Sequence, residues 1–116
     1  MRDKNRVALE GLIGDDFRLA KTQEGKEYIT FSLCINSYDK EYADSTERTH
    51  SQTYVRCNVF DKKQIEYLKK VNAHRGQRAC VDGRISSYKS EIKGIEFFTN
   101  TVTIRDVSII KTKSDN

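Results

Sequence analysis

The sequence predicts an all-β domain: a five-stranded closed barrel with one short helix between the third and fourth strands and a long hairpin joining the fourth and fifth. Three observations predict it. Apolar residues alternate with period two in five separate segments, the spacing of a half-buried strand. A single segment, Lys62 to Lys70, breaks that rhythm, with Ile65, Leu68 and Val71 at helical spacing and Lys62, Lys63, Lys69 and Lys70 outside. A turn signal at Lys93-Gly94 sits inside the last strand-forming region.

Taken in order, Asn5 to Ile13 alternates Val7, Leu9 and Gly11 with Arg6, Ala8 and Glu10, and Gly11 and Gly14 mark a bend or bulge in a long, curved strand. After the turn Gln23-Glu24-Gly25, the segment Tyr28 to Tyr38 sets Ile29, Phe31, Leu33 and Ile35 against Tyr28, Thr30, Ser32, Cys34 and Asn36. From Asp39 to Gln52 the periodicity is lost, which predicts a loop. The third strand is Tyr54 to Phe60. The fourth begins at Gly76, with Ala79, Val81, Gly83 and Ile85 inward and Arg78, Cys80, Asp82, Arg84 and Ser86 outward. The last runs through Val102, Ile104, Val107 and Ile109. Three strands, a helix and two more strands is the order of the OB-fold, a small barrel whose closure removes exposed strand edges. The expected domain is 1–110, with 111–116 a short polar tail.

Bulk composition bounds the function. The 116 residues suit one domain with one core. No apolar run approaches the roughly 20 residues that cross a bilayer, and the start leads into a strand pattern, so a cytoplasmic protein with no membrane partner is expected. A net charge of +4 favours polyanions without establishing one. The three cysteines, Cys34, Cys57 and Cys80, form no Cys-x-x-Cys, and His50 and His74 supply no ligand spacing, so neither a disulfide framework, a zinc site nor any other cofactor is expected. Cys57 belongs on the core side of its strand; Cys34 and Cys80 are left open.

The chemistry-bearing segment is Tyr54-Val55-Arg56-Cys57-Asn58-Val59-Phe60. Alternation gathers Val55, Cys57 and Val59 on one face and Tyr54, Arg56, Asn58 and Phe60 on the other. Bases stack on aromatic faces, and arginine pairs with phosphate or stacks on a base, so this second face suits single-stranded nucleic acid. A mixed face covered by a loop or another subunit fits the same alternation.

The chain resembles the bacterial single-stranded DNA-binding protein family from about Asn5 to Ile110. Asn5-Arg6-Val7-Ala8-Leu9-Glu10-Gly11-Leu12-Ile13-Gly14-Asp15-Asp16, Phe31-Ser32-Leu33, the Tyr54 to Phe60 strand, Tyr67-Leu68-Lys69-Lys70 and Val81-Asp82-Gly83-Arg84-Ile85 are similar to the family's successive motifs. The resemblance implies non-enzymatic binding of single-stranded DNA with little sequence preference, usually on a homotetramer, in replication, recombination or repair. It puts Tyr54 and Phe60 at stacking positions and Tyr38 and Tyr88 near others, with Arg6, Arg56, Lys62, Arg84 and Lys89 as phosphate contacts. Tyr38 and Tyr88 are equally read as loop packing, and Lys62 as a solvated helix start.

The chain departs from the family in having no tryptophan, so tyrosine must stack with a smaller face. Phe17 stands where the family has a proline, and Val71-Asn72-Ala73-His74-Arg75 resembles an insertion. The sequence reaches Lys113-Ser114-Asp115-Asn116 without the family's acidic, partner-recruiting tail, as expected of a truncated chain or a specialised relative from a plasmid, phage or integrated element. Two rival functions remain. A dimeric OB-fold replication-restart accessory protein would be told from a tetramer by native mass. An OB-fold nuclease would need a metal-binding carboxylate cluster, for which Asp15 and Asp16 with Arg18 are the nearest residues, equally a solvated turn.

Overall fold

The computed structural model describes residues 3–39 and 49–111, apart from the side chains of 38, 39, 49 and 50. Six strands and one helix follow in the order β1 (Val7–Ile13), β2 (Arg18–Lys21), β3 (Glu27–Asp39), β4 (Thr49–Val59), α1 (Lys62–Lys70), β5 (Arg78–Ile92) and β6 (Ile95–Ile110). Five of the strands close into a ring. β1 pairs antiparallel with β5, β5 with β6, β4 with β3, and β3 with β1 through Leu12–Cys34 and Ile13–Leu33, while β4 and β6 join in parallel. The expected five-stranded barrel, helix and long hairpin are all present, and the architecture is an OB-fold barrel.

Gly11 permits the closure. At the next residue, Leu12, β1 passes from β5 to β3, and a Cβ on Gly11 would fall well inside van der Waals contact with the carbonyl oxygen of Cys34. Ile13, Phe31, Leu33, Cys57, Val59 and Ala79 fill the interior, and α1 contributes Ile65 and Leu68 to the same core. Phe17 packs its ring 4.7 Å from that of Phe31, so the residue in the family's proline position adds to the core.

The helix has local reasons to start and stop where it does. Asp61 caps it, its side chain accepting from the Lys63 amide at 2.8 Å, while Lys69 and Lys70 place positive charge at the negative end of the helix dipole. Side chains of α1 also satisfy β6 where β4 no longer pairs with it. The Val107 amide donates to Gln64 Oε1 at 3.0 Å and the Ile109 amide to the Tyr67 hydroxyl at 2.9 Å.

Three expectations need correction. Arg18–Lys21 forms a short sixth strand on β3, too short and polar to show alternation. The predicted loop 39–52 is strand at both described ends, with β3 running to Asp39 and β4 starting at Thr49 because long pairing compensates for polar side chains; positions 40–48 lie outside the described residues. Ile85, expected inward, is 48% exposed. The β5–β6 register shifts between Asp82 and Gly83, and beyond that bulge the strands run past the barrel into the free hairpin. The hairpin turns at Lys93 (φ 52°) and Gly94 (φ 80°), the two left-handed residues of a tight turn that matches strand twist. The predicted polar tail at 112–116 is likewise outside the described residues.

Candidate nucleic-acid interface

The outward residues of β3, β4, β6 and β5 form rows on one continuous face. Tyr54 is paired with Cys34, Arg56 with Ser32, and Asn58 with Thr30. On its other side Asn58 pairs with Thr103, which in turn pairs with Arg84. Tyr54 is 63% exposed and Phe60, one residue past the end of β4, 40% exposed, whereas Cys57 and Val59 are buried; Asn58, predicted outward, is buried at 7%, so the predicted alternation of exposure fails at Asn58, where β3 and β6 flank it on both sides. Burial in the core pushes the Cys57 thiol up to about 12, and it remains neutral.

Phe60, Arg56 and Tyr54 are each held by a neighbour. Phe60 stacks on Tyr28 with ring centroids 4.9 Å apart, which fixes its plane. Arg56 Nη1 lies 3.3 Å from Asp15 Oδ2, and Asp15 Oδ1 accepts from the Ser32 amide at 2.6 Å. Asp15 therefore serves the barrel wall and the arginine together. Contact with the Cys34 thiol raises the Tyr54 phenol above its ordinary value, and the charge of Arg75 pulls it back. Thr101 is 6% exposed and its hydroxyl has no hydrogen-bond partner among the described residues.

The remaining candidates fall in three places. Arg6 reaches Asp82 at 2.9 Å from the barrel end, where the Asn5 side chain bonds both the carbonyl (2.8 Å) and the amide (2.9 Å) of Ile85. Arg84 lines a cleft beside it, and Lys62 borders Phe60. Among the described residues neither Arg84 nor Lys62 has an ion-pair partner. On the hairpin, alternation puts Tyr88 on the platform face with Arg84 and Ser86, while Lys89 lies on the reverse face, 2.9 Å from Glu96. The backbone of Tyr38 pairs with that of His50 at the far end of β3; its side chain is outside the described residues.

Several residues of the face escaped the sequence. Alternation places Tyr28 on the outward side of its strand, but its contact with Phe60 depends on the β3–β4 register. Phe97 shares the face of Tyr88, and the exposed Phe98 takes the reverse. Their alternation was visible; that the hairpin leaves the core was not. Arg75 sits in the segment expected to be an insertion.

Solved structures share the architecture at low identity. The chain is similar to the Plasmodium falciparum SSB in complex with ssDNA (TM-score 0.82, 18% identity, 96% of this chain and 98% of that one). It is also similar to a deletion mutant of the single-stranded DNA binding protein from Thermus aquaticus (0.77, 17%, 96% and 52%). A third is the S. cerevisiae mitochondrial single-stranded DNA binding protein Rim1 (0.71, 17%, 95% and 97%). No curated protein matches the chain. The model of the single-strand binding protein family matches residues 4–110, nearly the whole sequence, and the chain belongs to that family.

Proposed function

We propose that this family member binds single-stranded DNA across the outer face of β3, β4, β6 and β5, with bases stacked on Tyr54, Phe60 and Tyr88. Arg56, Arg84, Lys62 and Arg6 contact the phosphates. The shared face of Tyr54, Arg56 and Phe60 carries the proposal, with Phe60 held flat by Tyr28. Every base has a π-face and every nucleotide a phosphate, so such a surface binds with little sequence preference. Lys89, on the reverse of the hairpin, contacts a strand only where it wraps the hairpin edge. The family supports a binding role over an enzymatic one. By the resemblance of its motifs we place the protein in replication, recombination or repair, in the cytoplasm, as a homo-oligomer, with a tetramer ahead of a dimer.

Tyr54→Ala and Phe60→Ala test the platform. Stacking is worth roughly 1–3 kcal/mol per base, so each variant should bind oligothymidine about tenfold more weakly. Parent-like binding by both would place the DNA elsewhere. Native mass with and without a long oligothymidine separates tetramer from dimer.

A further inference from the structure

Beyond Phe60 the platform runs into a cleft of about 420 Å³ lined by Asn5, Arg6, Asp61, Gly83, Arg84 and Arg105 among others. Three guanidinium groups meet there. Arg6 Nη2 and Arg105 Nη2 take the two oxygens of Asp82 at 2.9 and 3.1 Å, and Arg84 has no ion-pair partner among the described residues. The opposing carboxylates are Asp82 and Asp61, and Asp61 is already engaged as the helix cap.

Two backbone features assemble the cleft. The bulge opposite Asp82 and Gly83 leaves Arg105 as the extra residue of β6, since Asp82 pairs with Asp106 and Gly83 with Ile104. The double hydrogen bond of Asn5 to Ile85 anchors the chain next to Arg6. The parallel pairing of β4 with β6 ends at Val59–Ile104, and Phe60 and Arg105 are the residues that follow that last pair on the two chains, with Asp61, next to Phe60, lining the cleft. A base stacked on Phe60 thus hands its backbone toward these arginines.

Resting on the platform proposed above, we infer that this cleft seats the phosphates of the single strand as it passes Phe60, with Arg105 and Arg84 holding them and Arg6 steadied behind by Asp82. Arg105 has no role in the sequence motifs, because its position is created by the bulge. A phosphodiester suits the cleft, since its two free oxygens can accept from two guanidinium forks.

Arg105→Gln tests the seat. Its side chain is 70% exposed, so the barrel does not depend on it. Oligothymidines of about 4 and about 16 nucleotides span the site sizes of one OB fold. The variant should bind the long oligomer about three- to tenfold more weakly at low salt, with a log–log salt slope shallower by about 0.7, and the short one unchanged. Equal affinity of variant and parent for both lengths overturns the seat, and so does an equal loss at both lengths, which would put Arg105 within the platform. Asp82→Asn, which frees Arg6 and Arg105, should tighten binding of the long oligomer; unchanged or weaker binding overturns Asp82 as the phosphate's competitor for these arginines. Tyr54→Ala separates the two proposals: it should weaken both lengths if the platform holds, whatever Arg105→Gln does.

Discussion

Asp15→Asn should tighten DNA binding, because Asp15 competes with phosphate for Arg56. The ion pair is 3.3 Å long and its side chains are 41% and 28% exposed, which places it among partly solvated pairs worth about 0.2–1 kcal/mol. Removing that competition converts to an affinity gain of about 1.4- to 5-fold. Asparagine retains an oxygen to accept from the Ser32 amide, so the contact that Asp15 makes to β3 at 2.6 Å persists. The salt response carries a second signature. In the parent, moving Arg56 to a phosphate leaves a carboxylate that gathers a cation, cancelling part of the counterion release. The variant has no such carboxylate, so its slope should be steeper by up to about 0.7 per subunit. The assay is direct, since the chain has no tryptophan and quenching of the emission of its six tyrosines, Tyr54 among them, reports binding. Titrations with oligothymidine at several salt concentrations should show parent and variant converging as salt rises. Unchanged or weaker binding with an unchanged slope would refute the exchange of Arg56 between Asp15 and phosphate.

Other perturbations follow from particular contacts. Thr101→Val removes a buried hydroxyl that has no hydrogen-bond partner among the described residues and should stabilise the fold by about 1 kcal/mol, seen as a higher denaturation midpoint; a lower midpoint would show that the hydroxyl is satisfied. Gly83→Ala places a Cβ 2.9 Å from the Thr103 carbonyl carbon and 3.0 Å from Ile104 Cα, both backbone, and should cost about 3 kcal/mol. Gly94→Ala, in open space at φ 80°, should cost only about 1 kcal/mol; equal losses in urea unfolding would deny the close approach at Gly83. The Arg6 hydrogen bond, with Arg105 adding to it, holds the Asp82 carboxyl below its ordinary value of 3.8. A depressed folded pKa means that this stabilisation is full above about pH 4 and lost as pH falls through the folded value. Asp82→Asn should therefore flatten the acid limb of a stability–pH profile, and an unaltered limb would count against the pair.

What the sequence revealed was whatever depends on residues close along the chain. Ile65 and Leu68 identify α1 by spacing alone, and Tyr54, Arg56 and Phe60 share a face because a strand alternates. Lys93-Gly94 announces its turn through backbone preference. The features that escaped need a partner distant in sequence. Arg56 meets Asp15 across 41 positions and Arg6 meets Asp82 across 76, so their ion pairs have no local signature. Tyr28 joins Phe60 only through the β3–β4 register. Ile85 alternates correctly for the core, yet the register shift in β5–β6 and the hairpin beyond it carry it to the surface. Arg105 acquires its place from that same bulge.

Pre-paired cations change how the face must work. Arg6 and Arg56 each hold a carboxylate of the same chain, so at the proposed interface binding exchanges one oxyanion for another instead of neutralising a bare charge. Local exchange of this kind returns little net energy, since both partners are partly solvated at the start and at the end. A small anion gains nearly nothing from it. A nucleic acid strand differs in two respects: it sheds condensed counterions at each phosphate contact, and its bases cover Tyr54 and Phe60. Duplex DNA offers the first without the second, because its bases are already stacked and inaccessible to a flat aromatic surface. The pairing therefore keeps a basic protein from adhering to every polyanion and shifts selectivity onto the aromatics. At moderate salt, loss of Tyr54 or Phe60 should weaken binding more than loss of Arg6 or Arg56. The opposite ranking would mean that the carboxylates do not restrain these arginines.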